Sequence, residues 1–174
     1  SLVCSGDDLG IRRRRVVMSY KAIAAFLITF YRKLGLDAAF ACDAAPGERL
    51  GIASALCFAA KEKYDIVVNG KKIGGSAQKR TRRTIFQHGS IPLTGEAATM
   101  GGATSLEELL GRRPAYKELA AHLVDAFSEA FCVPVERRGM TDAERELAEE
   151  LRRRKYTRDE WNSGRKDSSP RMGQ

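Results

Sequence analysis

The sequence predicts an α+β domain with a mixed or antiparallel sheet and helices packed on one face. An amphipathic helical pattern occupies the early part of the chain, over residues 16–34. The centre then changes to the period of strands, with a hairpin signal at Asn69-Gly70. Helix-start and helix-stop signals return in the last third. The order of these segments predicts strands formed in the middle of the chain and helices placed on either side of them in sequence.

The first predicted helix has one apolar stripe. Its apolar side chains recur at steps of three and four residues, which is the spacing of a single helix face. They are Val17, Tyr20, Ile23, Ala24, Leu27 and Tyr31. Gly35 follows as the expected C-terminal cap. A short apolar segment at residues 36–41 then predicts a strand.

The central strands are predicted as an antiparallel meander. Asn69 and Gly70 both accept positive φ, so they favour a two-residue hairpin turn. The predicted strands cover residues 64–68, 71–78 and 84–93, with a basic turn at residues 79–83.

Three further helices are predicted in the last third. Ser105 caps a short helix that Gly111 ends, and Pro114 begins a longer one that runs to about Phe131. Thr141 and Glu144 form a capping box for a helix through residue 154. We expect one domain over residues 1–162 and a disordered polar tail over residues 163–174.

Composition excludes several classes of protein. The chain has 174 residues, 43% of them hydrophobic, and its longest apolar stretch is too short to span a bilayer. Its four cysteines show no close pairing, so we expect no metal site and a reducing, cytoplasmic location. The chain does not begin with Met, and its first residues are typical of a strand. We therefore expect that the N-terminal part of the domain is missing.

The segment around Lys72 is unusual for a strand. After Lys72 and Ile73 come two glycines and a Ser-Ala pair, and such small residues weaken a strand but let a ligand approach its backbone. One interpretation is a narrow slot for an acyl chain, with the Lys72 charge at its mouth. The other is a bulged edge strand with a solvated lysine. The residue pattern alone leaves both open.

Two motifs resemble those of a known family. Lys72-Ile73-Gly74-Gly75-Ser76-Ala77-Gln78, followed by Gln87-His88-Gly89-Ser90-Ile91, is similar to the signature of the lipoate–protein ligase and octanoyltransferase family. That family shares its fold with the biotin ligases. Lys155-Tyr156 and Glu160-Trp161-Asn162 also resemble its closing motif. The family's glycine-rich segment, which precedes this region, does not occur in the chain.

The resemblance implies roles for particular residues. Lys72 would hydrogen-bond the acyl carbonyl. The acyl tunnel would be lined by Gly74, Gly75, Ser76 and Ala77, with a neighbouring wall formed by Gln87, His88, Gly89 and Ser90. For His88 itself, a hydrogen-bonded structural residue is a better interpretation than a general base.

Cys57 bears on the type of reaction. Leu56-Cys57-Phe58 resembles the Cys-Phe pair of octanoyltransferases that work through an acyl-cysteine. A thiolate attacks a thioester well and also leaves well, and the nearby Lys72 ammonium would favour the thiolate form. The other interpretation of Cys57 is a buried structural thiol.

The resemblance also implies partners and cofactors. It predicts transfer of an octanoyl or lipoyl group to a lysine of a lipoyl-domain protein. The expected partners are acidic acyl carrier proteins and lipoyl domains, which suit a net charge of +8, and no membrane is expected to take part. No cofactor is expected.

Two alternatives stay open. One is a lipoate–protein ligase that uses ATP and an acyl-adenylate. The other is a non-catalytic binding module, such as a nucleic-acid binder that uses the basic runs. We expect no nucleic acid, since the chain shows neither zinc-finger spacing nor an RNA-recognition aromatic motif.

Overall fold

The computed structural model of the protein describes residues 1–7, 16–47, 61–95 and 103–163. The chain divides into two compact units, Ser1–Val135 and Glu136–Gln174, and each is described by itself. The single domain over residues 1–162 stays a prediction. So does the disordered tail, since residues 164–174 lie outside the described ranges.

The described residues of the first unit form two three-stranded sheets, and every strand pair in them is antiparallel. In one sheet the order is β1-β6-β5, and in the other it is β2-β3-β4. The strands are β1 (Leu2–Ser5), β2 (Ala38–Phe40), β3 (Ile66–Val68), β4 (Lys71–Lys72), β5 (Gly75–Arg80) and β6 (Thr84–Ser90). The predicted strands are therefore present, but they do not form one meander.

The predicted strand over residues 71–78 is in fact two strands in different sheets. Lys72 still pairs with Val67 in β3, whereas Gly75 pairs with Ser90 in β6. Gly74 lies at the crossing, where an added Cβ would come within 2.8 Å of the Ser90 carbonyl oxygen. The small residues that weaken a strand therefore let the chain leave one sheet and join the other.

The Asn69-Gly70 turn is confirmed. Asn69 has φ 51° and Gly70 has φ 74°, so both adopt the left-handed region that this short turn requires. The turn sets the register that pairs Val68 with Lys71 and Val67 with Lys72. Lys72 is thereby placed at the inner end of the hairpin.

The described helices of the first unit include the three predicted ones and one short helix, Ala41–Ala44, that was not predicted. They are α1 (Val16–Lys33), α2 (Ala41–Ala44), α3 (Leu106–Leu110) and α4 (Tyr116–Phe131). The Ser105 side chain accepts a hydrogen bond from the Glu108 backbone N–H, and Gly111 ends α3 with φ 66°. Pro114 lies two residues before α4 rather than in its first turn. The predicted α+β class, with antiparallel sheets and packed helices, is confirmed.

Helix α1 contacts both sheets. Its residue Ile23 packs with Ile85 of β6 and with Leu2 of β1. Residues one turn further along α1 belong to the main core, which is completed by β2, β3, α3 and α4. Because α1 also packs along α4, these two helices lie next to the β5–β6 hairpin and form a wall opposite it.

The described part of the second unit is helical. It contains α5 (Asp142–Leu151), a π-helical turn (Arg152–Tyr156) and α6 (Asp159–Asn162). The predicted capping box of Thr141 and Glu144 is present at the start of α5. No helix in the described ranges of the chain is both long and apolar enough to cross a membrane.

Candidate functional site

A cavity of about 260 Å³ lies in the first unit between α1, α4 and the β5–β6 hairpin. Apolar and aromatic side chains of the two helices form one wall. They include Ile23, Ala24, Phe26, Leu27, Leu123 and Phe127. Small and polar residues of β5 and β6 form the opposite wall. The volume is slightly below the range of about 300–1,000 Å³ usual for ligand pockets, so the cavity suits a thin ligand.

Glycines make the strand wall smooth. An added Cβ at Gly89 would lie 2.6 Å from the Ser76 hydroxyl oxygen and 2.9 Å from the Gly75 carbonyl oxygen. Gly75 and Ser76 face Ser90 and Gly89 across the hairpin. The sequence places glycine where the two strands and the cavity leave no room for a side chain.

Two tyrosines of α1 hold this wall in position. The Tyr20 hydroxyl donates to the Ser76 carbonyl oxygen at 2.9 Å, and the Tyr31 hydroxyl donates to the Ile73 carbonyl oxygen at 3.2 Å. Burial raises the pKa of both phenols above the ordinary value. Both therefore stay protonated at neutral pH and keep donating to the strand backbone.

Lys72 forms a buried ion pair with Asp65. The Lys72 Nζ lies 2.7 Å from the Asp65 Oδ2, and each side chain is only 5% exposed. The same carboxylate oxygen accepts the Glu62 backbone N–H at 2.8 Å. Buried opposite charges of this kind hold each other in position, because losing one leaves the other charge without compensation.

The location of Lys72 corrects one prediction. The sequence suggested a charge at the mouth of a slot or a solvated lysine, but Lys72 is buried, with its Nζ next to Gly75 of the cavity wall. Its Nζ is 3.9 Å from the point where a Gly75 Cβ would be. Asp65 and Gly75 themselves line the cavity. The hairpin turn explains this position, since it directs the end of β4 into the core.

The structure brings six of the predicted substrate-binding residues to one cavity. They are Gly74, Gly75, Ser76, Gln87, Gly89 and Ser90. Their shared location is the arrangement that the resemblance implies, whereas substrate binding by each of them stays a prediction.

Ala77 and His88 do not line this cavity, and substrate binding by them stays a prediction. They pair with each other across β5 and β6 and lie on the opposite face of the sheet. Side chains alternate between the faces of a strand, so the side chains of Ala77, next to Ser76, and of His88, next to Gln87, point away from the cavity. His88 is exposed, and its Nδ1 lies 2.7 Å from the Ser1 hydroxyl oxygen.

Cys57, the predicted nucleophile, lies outside the described residues. Of the three cysteines in the described ranges, none lines the cavity. Burial, a hydrogen bond to Asp43 and the charge of that carboxylate raise the pKa of the Cys42 thiol. Cys42 is therefore less reactive than an ordinary thiol at neutral pH.

Asp65 was not predicted as a site residue, although the sequence carries a signal for it. Val67 pairs with Lys72, and Asp65 stands two residues before Val67 on the same strand face. A single carboxylate ahead of an apolar strand, diagonal to a lysine across a two-residue turn, predicts an ion pair. The further requirement, burial of the pair, depends on the helices that cover it.

The chain is similar to proteins of one family. Residues 1–128 match the model of the lipoyl protein ligase A/B catalytic domain. The chain therefore belongs to this family of catalytic domains, as the sequence motifs predicted.

Its relatives include octanoyltransferases. The chain is 37% identical to the octanoyltransferase LipM of Kyrpidia tusciae over 169 residues, covering 84% of the chain and 61% of that protein. It is 32% identical to the LipM of Geobacillus kaustophilus, covering 86% of the chain and 62% of that protein. The chain thus spans about three fifths of the length of these curated relatives.

A solved structure shares the fold. Lipoate-protein ligase A bound with ATP matches 93% of the chain and 63% of its own length, with a TM-score of 0.70 and 23% identity. At this identity the similarity supports the fold class alone. It agrees with the predicted fold of the biotin and lipoate ligases.

Proposed function

We propose that the full-length protein transfers an octanoyl or lipoyl group to a lysine of a lipoyl-domain protein through a thioester on Cys57. The observation that carries this proposal is a narrow, largely apolar cavity beside a buried lysine, in a chain that belongs to this family and has octanoyltransferases among its relatives. An apolar cavity removes an acyl chain from water, which contributes about 0.8 kcal/mol per buried CH₂ group.

The proposed reaction has two acyl transfers. In the first, the Cys57 thiolate attacks the carbonyl carbon of the donor thioester, and the donor thiolate leaves. In the second, the amine of the acceptor lysine attacks the acyl-cysteine carbonyl, loses a proton and forms an amide, while the Cys57 thiolate leaves. No ATP is consumed, because each thioester is already activated.

Lys72 is proposed to act on the acyl carbonyl. Its ammonium lies against Gly75 in the cavity wall and is fixed by Asp65, so its charge has a defined position before the substrate arrives. Charge fixed in advance stabilises the oxyanion of each tetrahedral intermediate without further reorganisation. Asp65 is the positioning residue in this scheme.

The proposed donor is an acyl carrier protein, and the acceptor is a lipoyl domain. Acidic domains suit the net charge of +8. Lys79, Arg82 and Arg83 are exposed at the β5–β6 turn and can attract such partners. A cytoplasmic location, where these partners would be reached, is part of the proposal.

Mass spectrometry tests this function. The full-length protein, mixed with octanoyl-acyl carrier protein and no ATP, should gain one octanoyl group on the Cys57 peptide, and hydroxylamine should remove it. Cys57→Ala should abolish both the adduct and transfer to a lipoyl domain. Cys57→Ser should instead accumulate an octanoyl ester that is passed on more slowly than the thioester. Cys132→Ala is the matched control, since Cys132 is exposed and does not line the cavity.

The alternatives give different results. If the Cys57→Ala protein still modifies its acceptor, and only with free acid and ATP, the protein is a ligase that works through an adenylate. If no acyl group is transferred and the protein retards nucleic acid at physiological salt, it is a binding module.

A further inference from the structure

A row of hydrogen bonds connects Arg80 to the cavity. The Arg80 Nη1 donates to the Ser19 hydroxyl oxygen at 3.2 Å, and that hydroxyl donates to the Gln78 Oε1 at 3.0 Å. The Gln78 Nε2 then donates to the Gln87 Oε1 at 2.9 Å. Ser19 is fully buried and Gln87 is 5% exposed, so the inner part of the row is shielded from solvent.

Arg80 sets the direction of this row. A guanidinium has donors and no acceptor, so the Ser19 oxygen accepts from it, while the Ser19 hydroxyl donates to the Gln78 Oε1. Gln78 then has its carbonyl toward Ser19 and its NH₂ toward Gln87. The Gln87 carbonyl is used in turn, which leaves the Gln87 NH₂ as the free end of the row.

The free end faces the cavity. Gln87 lines the cavity, and its Nε2 has no hydrogen-bond partner among the described residues. Among the described residues, no fully buried side-chain nitrogen or oxygen lacks a partner, so this NH₂ keeps some exposure, which we assign to the cavity that Gln87 lines. An otherwise shielded donor gains a hydrogen bond when a ligand supplies an acceptor.

Gln87 lies far from the Lys72 end of the cavity. It pairs with Gln78, three residues along β5 from Gly75, where the Lys72 ammonium lies. Three residues of a strand span about 10 Å. If Lys72 holds the acyl carbonyl, as the proposed function states, Gln87 meets the other end of the acyl chain.

We propose that Gln87 determines specificity by contacting the far end of the acyl chain. Its NH₂, oriented by Arg80 through Ser19 and Gln78, donates to an oxygen or sulfur acceptor at that end. Acyl groups with such an acceptor are therefore favoured over purely aliphatic chains of the same length. This inference rests on the proposed function for the placement of the carbonyl end.

Calorimetry of the full-length protein with two free acids tests the inference. Octanoate and 7-oxooctanoate differ by one acceptor oxygen near the far end. Gln87→Leu should weaken the binding of 7-oxooctanoate relative to that of octanoate by about three- to tenfold, the usual effect of one hydrogen bond. Phe86→Leu, on the outer face of the same strand, should leave the ratio of the two Kd values unchanged. An unchanged ratio in Gln87→Leu would overturn the inference.

A second variant keeps the test decisive if Gln87→Leu folds poorly. In Gln78→Glu the new carboxylate has no donor, so Gln87 must donate to it and turn its carbonyl oxygen to the cavity. The preference for 7-oxooctanoate should then be lost while Gln87 remains. A preference that survives in a folded Gln78→Glu protein contradicts the directed row.

The binding assay separates this inference from the proposed function, since it needs neither Cys57 nor an acceptor protein. If the ratio of the two Kd values depends on Gln87 but the protein transfers no acyl group, the transferase proposal alone is rejected. If the protein transfers octanoyl groups but the ratio of the two Kd values does not change in Gln87→Leu, only the role of Gln87 is rejected. A protein that binds neither acid rejects both.

Discussion

The two hairpins of the first unit contribute to the cavity in different ways. The β3–β4 hairpin is a buried scaffold, in which Ile66, Val67 and Val68 are at most 5% exposed. The β5–β6 hairpin is made of small and polar residues and has one face toward the cavity and the other outward. The first hairpin supplies one charged pair at a fixed point, and the second supplies the surface along which a ligand can lie.

The difference indicates where each kind of substitution should act. Changes at the ion pair of the scaffold hairpin should affect both stability and chemistry, because the charges are buried. Changes in the lining hairpin should act first on the shape of the cavity. Changes at its exposed turn should act on association only.

Loss of the Lys72 charge should have the largest effect. Lys72→Ala should lower transfer by orders of magnitude and lower the free energy of unfolding by about 3–5 kcal/mol, because it leaves Asp65 buried without its partner. Urea unfolding and an acyl-transfer assay measure the two effects. Lys72→Arg should also fail, since a planar guanidinium does not replace a compact ammonium in a narrow site.

A double variant separates stability from chemistry at this pair. Lys72→Met combined with Asp65→Leu removes both charges and should recover most of the lost stability while staying inactive. Recovery of activity in the double variant would show that Lys72 has only a structural role.

A change in the lining hairpin should have a smaller effect. Gly89→Ala places a Cβ within 3 Å of the Ser76 hydroxyl oxygen and the Gly75 carbonyl oxygen, so the wall must shift. We expect a loss of about 1–3 kcal/mol in stability, as for other overpacked sites, and weaker octanoate binding. Gly95→Ala is the matched control, because no atom lies within 4 Å of its added Cβ. Equal octanoate affinity in both variants would contradict the role of the smooth wall.

Substitutions in the exposed turn of the same hairpin should affect association with the partner protein rather than binding of the acyl group. Arg82→Glu with Arg83→Glu should slow association with an acidic lipoyl domain severalfold at low salt, and the difference should shrink as salt rises. Stopped-flow measurements over a salt series test this. An association rate of the unmodified protein that does not depend on salt would exclude steering by these residues.

The smallest effect is expected beside the scaffold hairpin, at Cys42. Its backbone N–H donates to the Lys63 carbonyl oxygen, and burial together with Asp43 raises the pKa of its thiol. A raised pKa means less thiolate at pH 7.5, so alkylation should be slow there and should speed up as pH rises. Asp43→Asn should increase the alkylation rate of Cys42 a fewfold. The rate at exposed Cys132 should stay constant, and an equal change at both would rule out this local cause.

Local patterns in the sequence predicted the scaffold hairpin and the helices well. Asn69-Gly70 specified its turn, and the apolar period specified α1, because both depend on neighbours in sequence. The break at Gly74 was missed, since it depends on the Ser90 carbonyl oxygen of a distant strand. Burial of Lys72 and the outward positions of Ala77 and His88 also depend on which sheet face the helices cover. Motif resemblance identifies such residues but does not tell which face each one occupies.

The central claim is that the cavity holds the acyl chain with its carbonyl end at Lys72. A crystal structure of the full-length protein with bound octanoate tests it most directly. The chain should lie between α1, α4 and the β5–β6 hairpin, with a carboxylate oxygen within about 3 Å of the Lys72 Nζ. Octanoate bound elsewhere, or bound in the reverse direction with its carboxylate at Gln87, would contradict the claim.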